Sequence, residues 1–452
     1  MTAPLERRLE DAVSGSVLEK LLPASGAPFF ERRCGDEAAG RVDGAVLRGL
    51  ARLLSSQPKA AGFLGHRPRL LERIADAGED TLAQRASELA DEQVPTDCDD
   101  LEARLDELRI LRREETCLAA CLDLGGVVPF EAVSEFLSVV AETVTRRALA
   151  LARHKIAPDL PEPALSVIGM GKIAGREFTY HSDLDLIFLY QGEIGDIAQV
   201  SRVGQRTISY LATMTGAGMA YAVDTRLRPS GQQGMLVTSF DGFERYQRDN
   251  AQTWEHLALV RARAIAGEIE AARGLLDRVR GAVIGNGLQP WPYLVDMRSR
   301  VQSERGAESA GALPIKTGRG GLMDVDFLAA GGVLERSASH VPRLPSVPAM
   351  LRSTVPGEPA EALLRDYMTL RVVEARCRWL RGHAIEALET GEDIVGVVAE
   401  LVEPGLSGDG LLDRVAALRE RVRAAFDRTA AAGSIAAIAD SRRDRHSASE
   451  DR

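Results

Sequence analysis

Excess positive charge is absent from this sequence. Its 452 residues carry 56 Lys and Arg against 66 Asp and Glu, a formal net charge of −10. Nonspecific binding to nucleic acid needs clustered Lys and Arg to displace phosphate counterions, so no nucleic-acid partner is expected. A local basic pocket for a nucleotide triphosphate is still compatible with this balance. Aromatic residues are scarce, at 5%. The core must therefore rest on Leu, Val, Ile and Ala, and Leu and Ala at this density favour helix. The five cysteines, Cys34, Cys98, Cys117, Cys121 and Cys377, include no CxxC pair, which argues against a structural zinc site. Cys117 and Cys121, four apart, read as small apolar residues on one helix face. The cysteine pattern fits a reducing cytoplasm, where we expect the protein to reside. No uninterrupted apolar run of about 18 residues occurs, so no membrane span is expected. The N-terminus is charged within its first ten residues and has no apolar h-region, so no signal peptide is expected. No internal repeat is visible.

Residues 1–157 read as an N-terminal helical region, with apolar residues at three- and four-residue spacing in VLRGLARLL, RPRLLERI, LEARLDELRILRREE and VSEFLSVVAETVTRRALALARH. Pro158, Pro161 and Pro163 mark a linker. A nucleotide-handling domain is expected over 158–315, a C-terminal helical domain over 316–435, and a disordered polar tail over 436–452. Ala164–Ile168 and Leu184–Tyr190 are short apolar runs of β-formers, and Ala220–Leu227 alternates as a third strand candidate. From Thr238 onward the pattern returns to helix, through FDGFERYQRDNAQTWEHLALVRARAIAG. The expected fold class is α+β: a small mixed sheet flanked by N-terminal helices and a C-terminal helical bundle.

Chemistry concentrates in GMGKIAGREFTYHSDLDLIFLY. A strand ends at a double-glycine turn, and Ser182-Asp183-Leu184-Asp185 opens the next. Side chains alternate along a strand, so Asp183 and Asp185 share a face while Leu184 and Leu186 point into the core. Two carboxylates side by side are costly without a cation. A hard divalent ion with oxygen ligands, Mg²⁺ where phosphates complete the shell, removes that cost. In AVDTRLRP, Asp224 adds a third carboxylate, and Arg226 and Arg228 on the same strand face would neutralise phosphates. Gly169 and Gly171 would let backbone amides approach a triphosphate. Other readings compete. Gly169-x-Gly171-x-x-Ala174 meets the loose dinucleotide fingerprint, but only eleven residues separate Gly171 from Asp183 and the acids open the strand. Gly171-Lys172 is not a P-loop, because Ile173 stands where Ser or Thr should be. The acids could also be ordinary strand-edge charges. Trp254 reads as a core anchor ahead of a base-stacking platform, and His181 as a turn residue ahead of a proton carrier. Arg261 and Arg263 could pair with Glu255 or Asp249, or with phosphate.

In order and spacing, GMGKIAGREFTYHSDLDLIFLY, VDTRLRPSGQQGMLVTSFDGFERYQ, TWEHLALVRARAIAG and PIKTGRGGLMDVDF resemble successive blocks of glutamine synthetase adenylyltransferase, within the DNA polymerase β-like nucleotidyltransferases. The resemblance runs from about residue 164 to 330 and covers one of the two related halves that members of the family carry. One half attaches AMP from ATP to a tyrosine of glutamine synthetase, and the other removes it by phosphorolysis. VDTRLRPSG, MLVTS and TWEHLALVRAR are most similar to the adenylylating half, whereas GRGG at 318–321 is more similar to the removing half. Leu257 stands where the family commonly has Gln, and Asp326 where it has Glu. The resemblance implies that Asp183, Asp185 and Asp224 are metal ligands. It further implies that Gly169, Gly171, Lys172, Ser182, Arg226, Arg228 and Lys316 bind nucleotide or the substrate loop. ATP as substrate, Mg²⁺ as cofactor, glutamine synthetase as protein substrate and PII signalling protein as regulator follow from the same resemblance. Phosphorolytic removal, transfer to a small molecule and a non-catalytic nucleotide-binding module remain alternatives.

Overall fold

Helical periodicity in the N-terminal third produces helices at Leu5–Val13, Gly44–Ser56, Pro58–Gly65, Pro68–Ala75, Thr81–Asp91, Leu101–Gly125 and Phe130–Ile156. The computed structural model describes residues 5–22, 40–42, 44–92, 94, 100–158, 165–192, 197–285, 287–305 and 311–442. Cys34, Cys98 and linker residues 159–164 lie outside them. Local chemistry sets the ends of the long helix Leu101–Gly125. Asp100 accepts a hydrogen bond from the Ala103 amide, and Gly126 closes the helix in the left-handed conformation. Cys117 and Cys121 are buried on this helix. The Gly44–Ser56 helix packs so closely against it that a Cβ on Gly49 would fall 1.9 Å from the Cys121 carbonyl oxygen.

The sheet contains β1 (Leu165–Met170), β2 (Leu184–Tyr190), β3 (Val223–Asp224), β4 (Val237–Ser239) and β5 (Ala262–Gly267). Its order is β3-β2-β1-β5, with β4 also on β2. β1 runs antiparallel to β2 and to β5, while β3 and β4 run parallel to β2. The mixed sheet among helices agrees with the expected α+β class. Alternation along β2 divides its side chains between two cores. Leu184, Leu186, Phe188 and Tyr190 join the N-terminal helices. Ile187 and Leu189 join a second core with Phe240, Phe243, Leu275 and Leu276. One core therefore continues from the N-terminal helices onto the sheet.

Three expectations require correction. The third strand covers only Val223–Asp224, because residues 226–230 turn away. RARAIAG, read as helix, is β5: the helix Thr253–Val260 ends and Ala262–Gly267 pairs with β1, with a register shift between Val167 and Ile168. Alanine-rich sequence favours helix locally, and pairing with an apolar partner strand outweighs it here. The C-terminal tail remains structured beyond 436, since Ile435–Arg442 form a 3₁₀ helix with Ile435 and Ile438 buried. Those two side chains pack on the third core, which is shared by the helices Leu322–Arg336, Glu358–Arg381, Glu392–Val402 and Gly408–Ala432.

Candidate active site

Gly171 follows β1 at φ +57°, a left-handed conformation that glycine adopts without strain. A Cβ there would lie 3.4 Å from Asp185 Oδ2, so the chain turns directly over that carboxylate. The Gly171 amide donates to the Arg261 carbonyl at 3.1 Å. Gly169 lies within the ladder between β2 and β5, where a Cβ would meet Ile173 Cγ2 at 2.8 Å. Gly169 thus packs closely on Ile173 and Ile265, and Gly171 passes over Asp185. Ser182 is buried, and its hydroxyl accepts from the Thr179 amide at 3.2 Å, tightening the turn before Asp183. His181 has φ +53°. Burial, with Arg112, Arg378 and His383 nearby, lowers its pKa to about 4 and keeps the ring neutral.

Asp185 and Asp224 are register partners on the adjacent parallel strands β2 and β3. Asp183 stands exposed one residue ahead of β2. Burial raises the Asp185 pKa to about 6; Asp224 and Asp183 push the same way, while Lys316 and Lys172 oppose them. An open depression of about 700 Å³ is lined by Asp183, Ala222, Val223, Asp224, Thr225, Arg226 and Arg228. The arginines differ from the shared strand face expected for them. Arg226 folds back, its amide donating to Asp224 Oδ1 at 2.8 Å and its guanidinium to Oδ2 at 2.5 and 2.8 Å. Hydrogen bonding by Arg226 holds the Asp224 carboxyl below its ordinary range. Arg228 ties the turn together, donating to the Thr225 carbonyl at 2.9 Å and hydroxyl at 2.7 Å.

Lys316 enters from the glycine-rich loop. Its ammonium donates to Glu386 at 2.6 Å and is near enough to Asp185 to favour that residue's ionised form. Buried Asp324 holds the loop, accepting from the Gly320 amide at 2.7 Å and pairing with buried Arg298. Gly320 is at φ +69°, where a Cβ would strike the Arg419 carbonyl oxygen at 1.9 Å. Arg261 pairs with Glu177 at 2.6 Å and Asp326 at 2.7 Å, and Arg263 with Glu142, rather than with Glu255 or Asp249. Glu255 closes a capping box with Gln252, and Asp249 pairs with Arg248. Trp254 belongs to no apolar core among the described residues; it is half-buried and donates to Gln252 at 3.1 Å, so its reading as a core anchor is corrected.

Sequence reasoning missed the C-terminal contribution. Lys172 donates to Glu374 at 2.6 Å, and Glu374 also pairs with Arg371 and Arg378. The available signal was Arg371, Glu374 and Arg378 at three- and four-residue spacing on one face of the helix Glu358–Arg381. A second cavity, of about 750 Å³, lies along β5 at the opposite end of the strand order. Four of its five arginines are paired, Arg176 and Arg263 with Glu142, Arg273 with Glu270 and Arg280 with Asp277. Its charges are largely neutralised, unlike those around Asp185.

The donor set suits a hard divalent cation: carboxylate oxygens only, two of them abreast. Among the described residues, no three His, Cys, Asp or Glu side chains already converge into a metal shell. Asp224 is engaged by Arg226 instead.

A mixed sheet that brings carboxylates of adjacent strands together beneath a glycine turn has the construction expected of a nucleotidyltransferase. The comparisons agree with that class. The family model for glutamate-ammonia ligase adenylyltransferase matches residues 47–277. The chain belongs to that family. It is similar to proteins named bifunctional glutamine synthetase adenylyltransferase/adenylyl-removing enzyme. The one from Thioalkalivibrio sulfidiphilus is 35% identical over 66% of this chain and 34% of its own length. That from Nitrosococcus oceani is 34% identical over 68% and 34%, and that from Pseudomonas syringae pv. tomato 32% over 77% and 38%. The chain spans little more than a third of the length of these relatives. Among the described residues, no helix is long and apolar enough to cross a membrane.

Proposed function

We propose that this chain transfers AMP from ATP to a tyrosine of glutamine synthetase. The observation that carries this reading is the pairing of Asp185 with Asp224 across β2 and β3, with Gly171 turned over Asp185 and Asp183 at the mouth. These three carboxylates would hold Mg²⁺. When bound, the ion supplies charge neutralisation for the triphosphate and lowers the pKa of an attacking hydroxyl. Lys172 and Lys316, both within electrostatic reach of Asp185, would bind the phosphates. Arg228 would hold the 225–230 turn in place, and Arg226 would exchange Asp224 for the leaving pyrophosphate. Gly169 and Gly171 would shape the floor, and Ser182 would fix the turn that presents Asp183. The depression beside Asp224 is open, as attack by a side chain of another protein requires. Buried free thiols at Cys117, Cys121 and Cys377 suit a cytoplasmic setting. PII signalling protein is the regulator this reading carries with it.

Intact-mass measurement of glutamine synthetase after incubation with this protein, ATP and Mg²⁺ tests the proposal. A gain of one AMP per subunit is expected. Phosphate-dependent loss of AMP from premodified enzyme, without any gain on the unmodified form, would assign the reverse reaction.

A further inference from the structure

Lys172 occupies an unusual electrostatic position. It lies in the one-turn helix Gly171–Ala174, next to the glycine that covers Asp185. Its side chain is 25% exposed, while its partner Glu374 is fully buried. Glu374 receives three cations: Lys172 at 2.6 Å, Arg371 at 2.7 Å and Arg378 at 3.1 Å. One carboxylate cannot neutralise them all. Arg371 also donates to the Glu177 carbonyl, and Arg378 to that of His181 at 3.4 Å. The Arg378 Nε is buried with no hydrogen-bond partner.

Neighbouring charges do not cancel the excess. Arg261 pairs with Glu177 and Asp326, so Lys172, Arg261, Arg371 and Arg378 face three carboxylates, Glu177, Asp326 and Glu374. One positive charge is left over beside a site whose own acids carry negative charge. Asp185 feels Lys172, and Arg261 feels Asp185. An ammonium has three N–H donors. Lys172 gives one to Glu374, and the other two have no protein partner among the described residues. An ammonium held by one bond, partly open and backed by surplus positive charge, is arranged to receive an anion.

We infer that Glu374 is the positioning residue for Lys172, setting its ammonium as a triphosphate-binding group beside Asp185 and making the C-terminal helix Glu358–Arg381 part of the nucleotide site. Glu374 touches neither substrate nor metal and acts through Lys172. Burial, with Arg371 and Arg378 adding to it, lowers the Lys172 pKa to about 7, and Glu374 opposes that fall. Losing Glu374 would therefore both release the side chain and favour its neutral form. The inference rests on the nucleotidyl-transfer reading above. It adds that ATP affinity is set in part from the helix Glu358–Arg381, through Glu374, 202 residues along the chain from Lys172.

A double-mutant cycle on the whole chain tests it, with KM for ATP and kcat read separately. Lys172→Met should raise KM for ATP about tenfold or more, as loss of one charge-assisted contact does. Glu374→Gln should do the same with kcat nearly unchanged. The double variant should raise KM no further than Lys172→Met alone, because Glu374 reaches the nucleotide only through that side chain. If the two losses multiply, or if Glu374→Gln lowers kcat and leaves KM alone, Glu374 is structural and the inference is overturned. Should Glu374→Gln fail to fold, Glu374→Asp carries the test. Keeping the charge but withdrawing it by one methylene, it should raise KM less than Lys172→Met, and no further in the Lys172→Met background. Asp185→Asn, run alongside, separates the two levels of argument. If it retains full transfer activity, the site reading itself fails, whatever Glu374 does.

Discussion

Replacing Asp185 with Asn should stabilise the metal-free protein, which is an unusual expectation for a partly buried polar residue. Burial and the nearby Asp224 and Asp183 move the Asp185 pKa from 3.8 to about 6. For an acid, a folded pKa above the unfolded value means that the fold disfavours the ionised form. Well below pH 3.8 the residue is protonated in both states and contributes nothing. As pH rises through about 6 the folded protein must ionise a crowded carboxyl, and above that the penalty is fully developed. Moving from 3.8 to about 6 corresponds to about 3 kcal/mol, at ~1.36 kcal/mol for each tenfold change in proton affinity. Asn keeps the shape and carries no charge, so most of that cost should vanish. The assay is urea unfolding followed by circular dichroism, with chelator present, at about pH 7.5 and again at about pH 4. Asp185→Asn should be more stable than wild type at the higher pH and nearly equal at the lower. It should also gain much less stability from Mg²⁺ with ATP, which should add about 2.7 kcal/mol to wild type at a hundredfold excess over Kd. A variant that is less stable at the higher pH, yet responds fully to Mg²⁺ and ATP, would refute the reasoning and make Asp185 a structural hydrogen-bonding residue.

Arg226→Ala should bind Mn²⁺ more tightly than wild type without nucleotide, by up to about fivefold, because an exposed counter-cation no longer occupies Asp224. Its kcat should fall by ~10²–10³ if the guanidinium then serves the leaving pyrophosphate; electron paramagnetic resonance of Mn²⁺ and steady-state rates check the two halves. Asp123→Asn should cost about 3 kcal/mol or more in urea unfolding, since it leaves buried Arg376 without its carboxylate and weakens the 2.6 Å bond from Tyr180. Gly320→Ala should cost more than the ~1–2 kcal/mol of a left-handed alanine, because its Cβ would also meet the Arg419 carbonyl. A melting temperature equal to wild type would show that the glycine-rich loop is not held as described.

The acids were legible because strand chemistry repeats every two residues. Asp-Leu-Asp ahead of an apolar run sets Asp185 on the face away from Leu184 and Leu186, and β2 keeps that period; Asp183 stands just ahead of the strand. Asp224 was legible as a third carboxylate, and its place opposite Asp185 follows from parallel pairing. What stayed hidden depends on contacts distant in sequence. β5 looks helical because its alanines are good helix formers, and only β1 makes it a strand. Arg226 looked like a phosphate ligand on a strand, but the chain turns after Asp224 and the guanidinium finds the nearest carboxylate. Glu374 lies in a helix that reads as ordinary packing, and nothing local announces that its carboxylate reaches Lys172 across the fold. Gly169 and Gly171 illustrate a subtler limit. Sequence shows two glycines at a turn, but not that Ile173 crowds the first and a left-handed backbone at φ +57° favours the second.

The central claim is that this site transfers a nucleotidyl group, and the position of the label in ATP tests it most directly. Glutamine synthetase incubated with the protein, Mg²⁺ and ATP labelled at the α-phosphate should become labelled, and ATP labelled at the γ-phosphate should leave it unlabelled. Asp185→Asn should abolish the transfer from the α position. Label arriving from the γ position would mean phosphoryl transfer, and would contradict the assignment of Asp183, Asp185 and Asp224 as a nucleotidyltransferase centre.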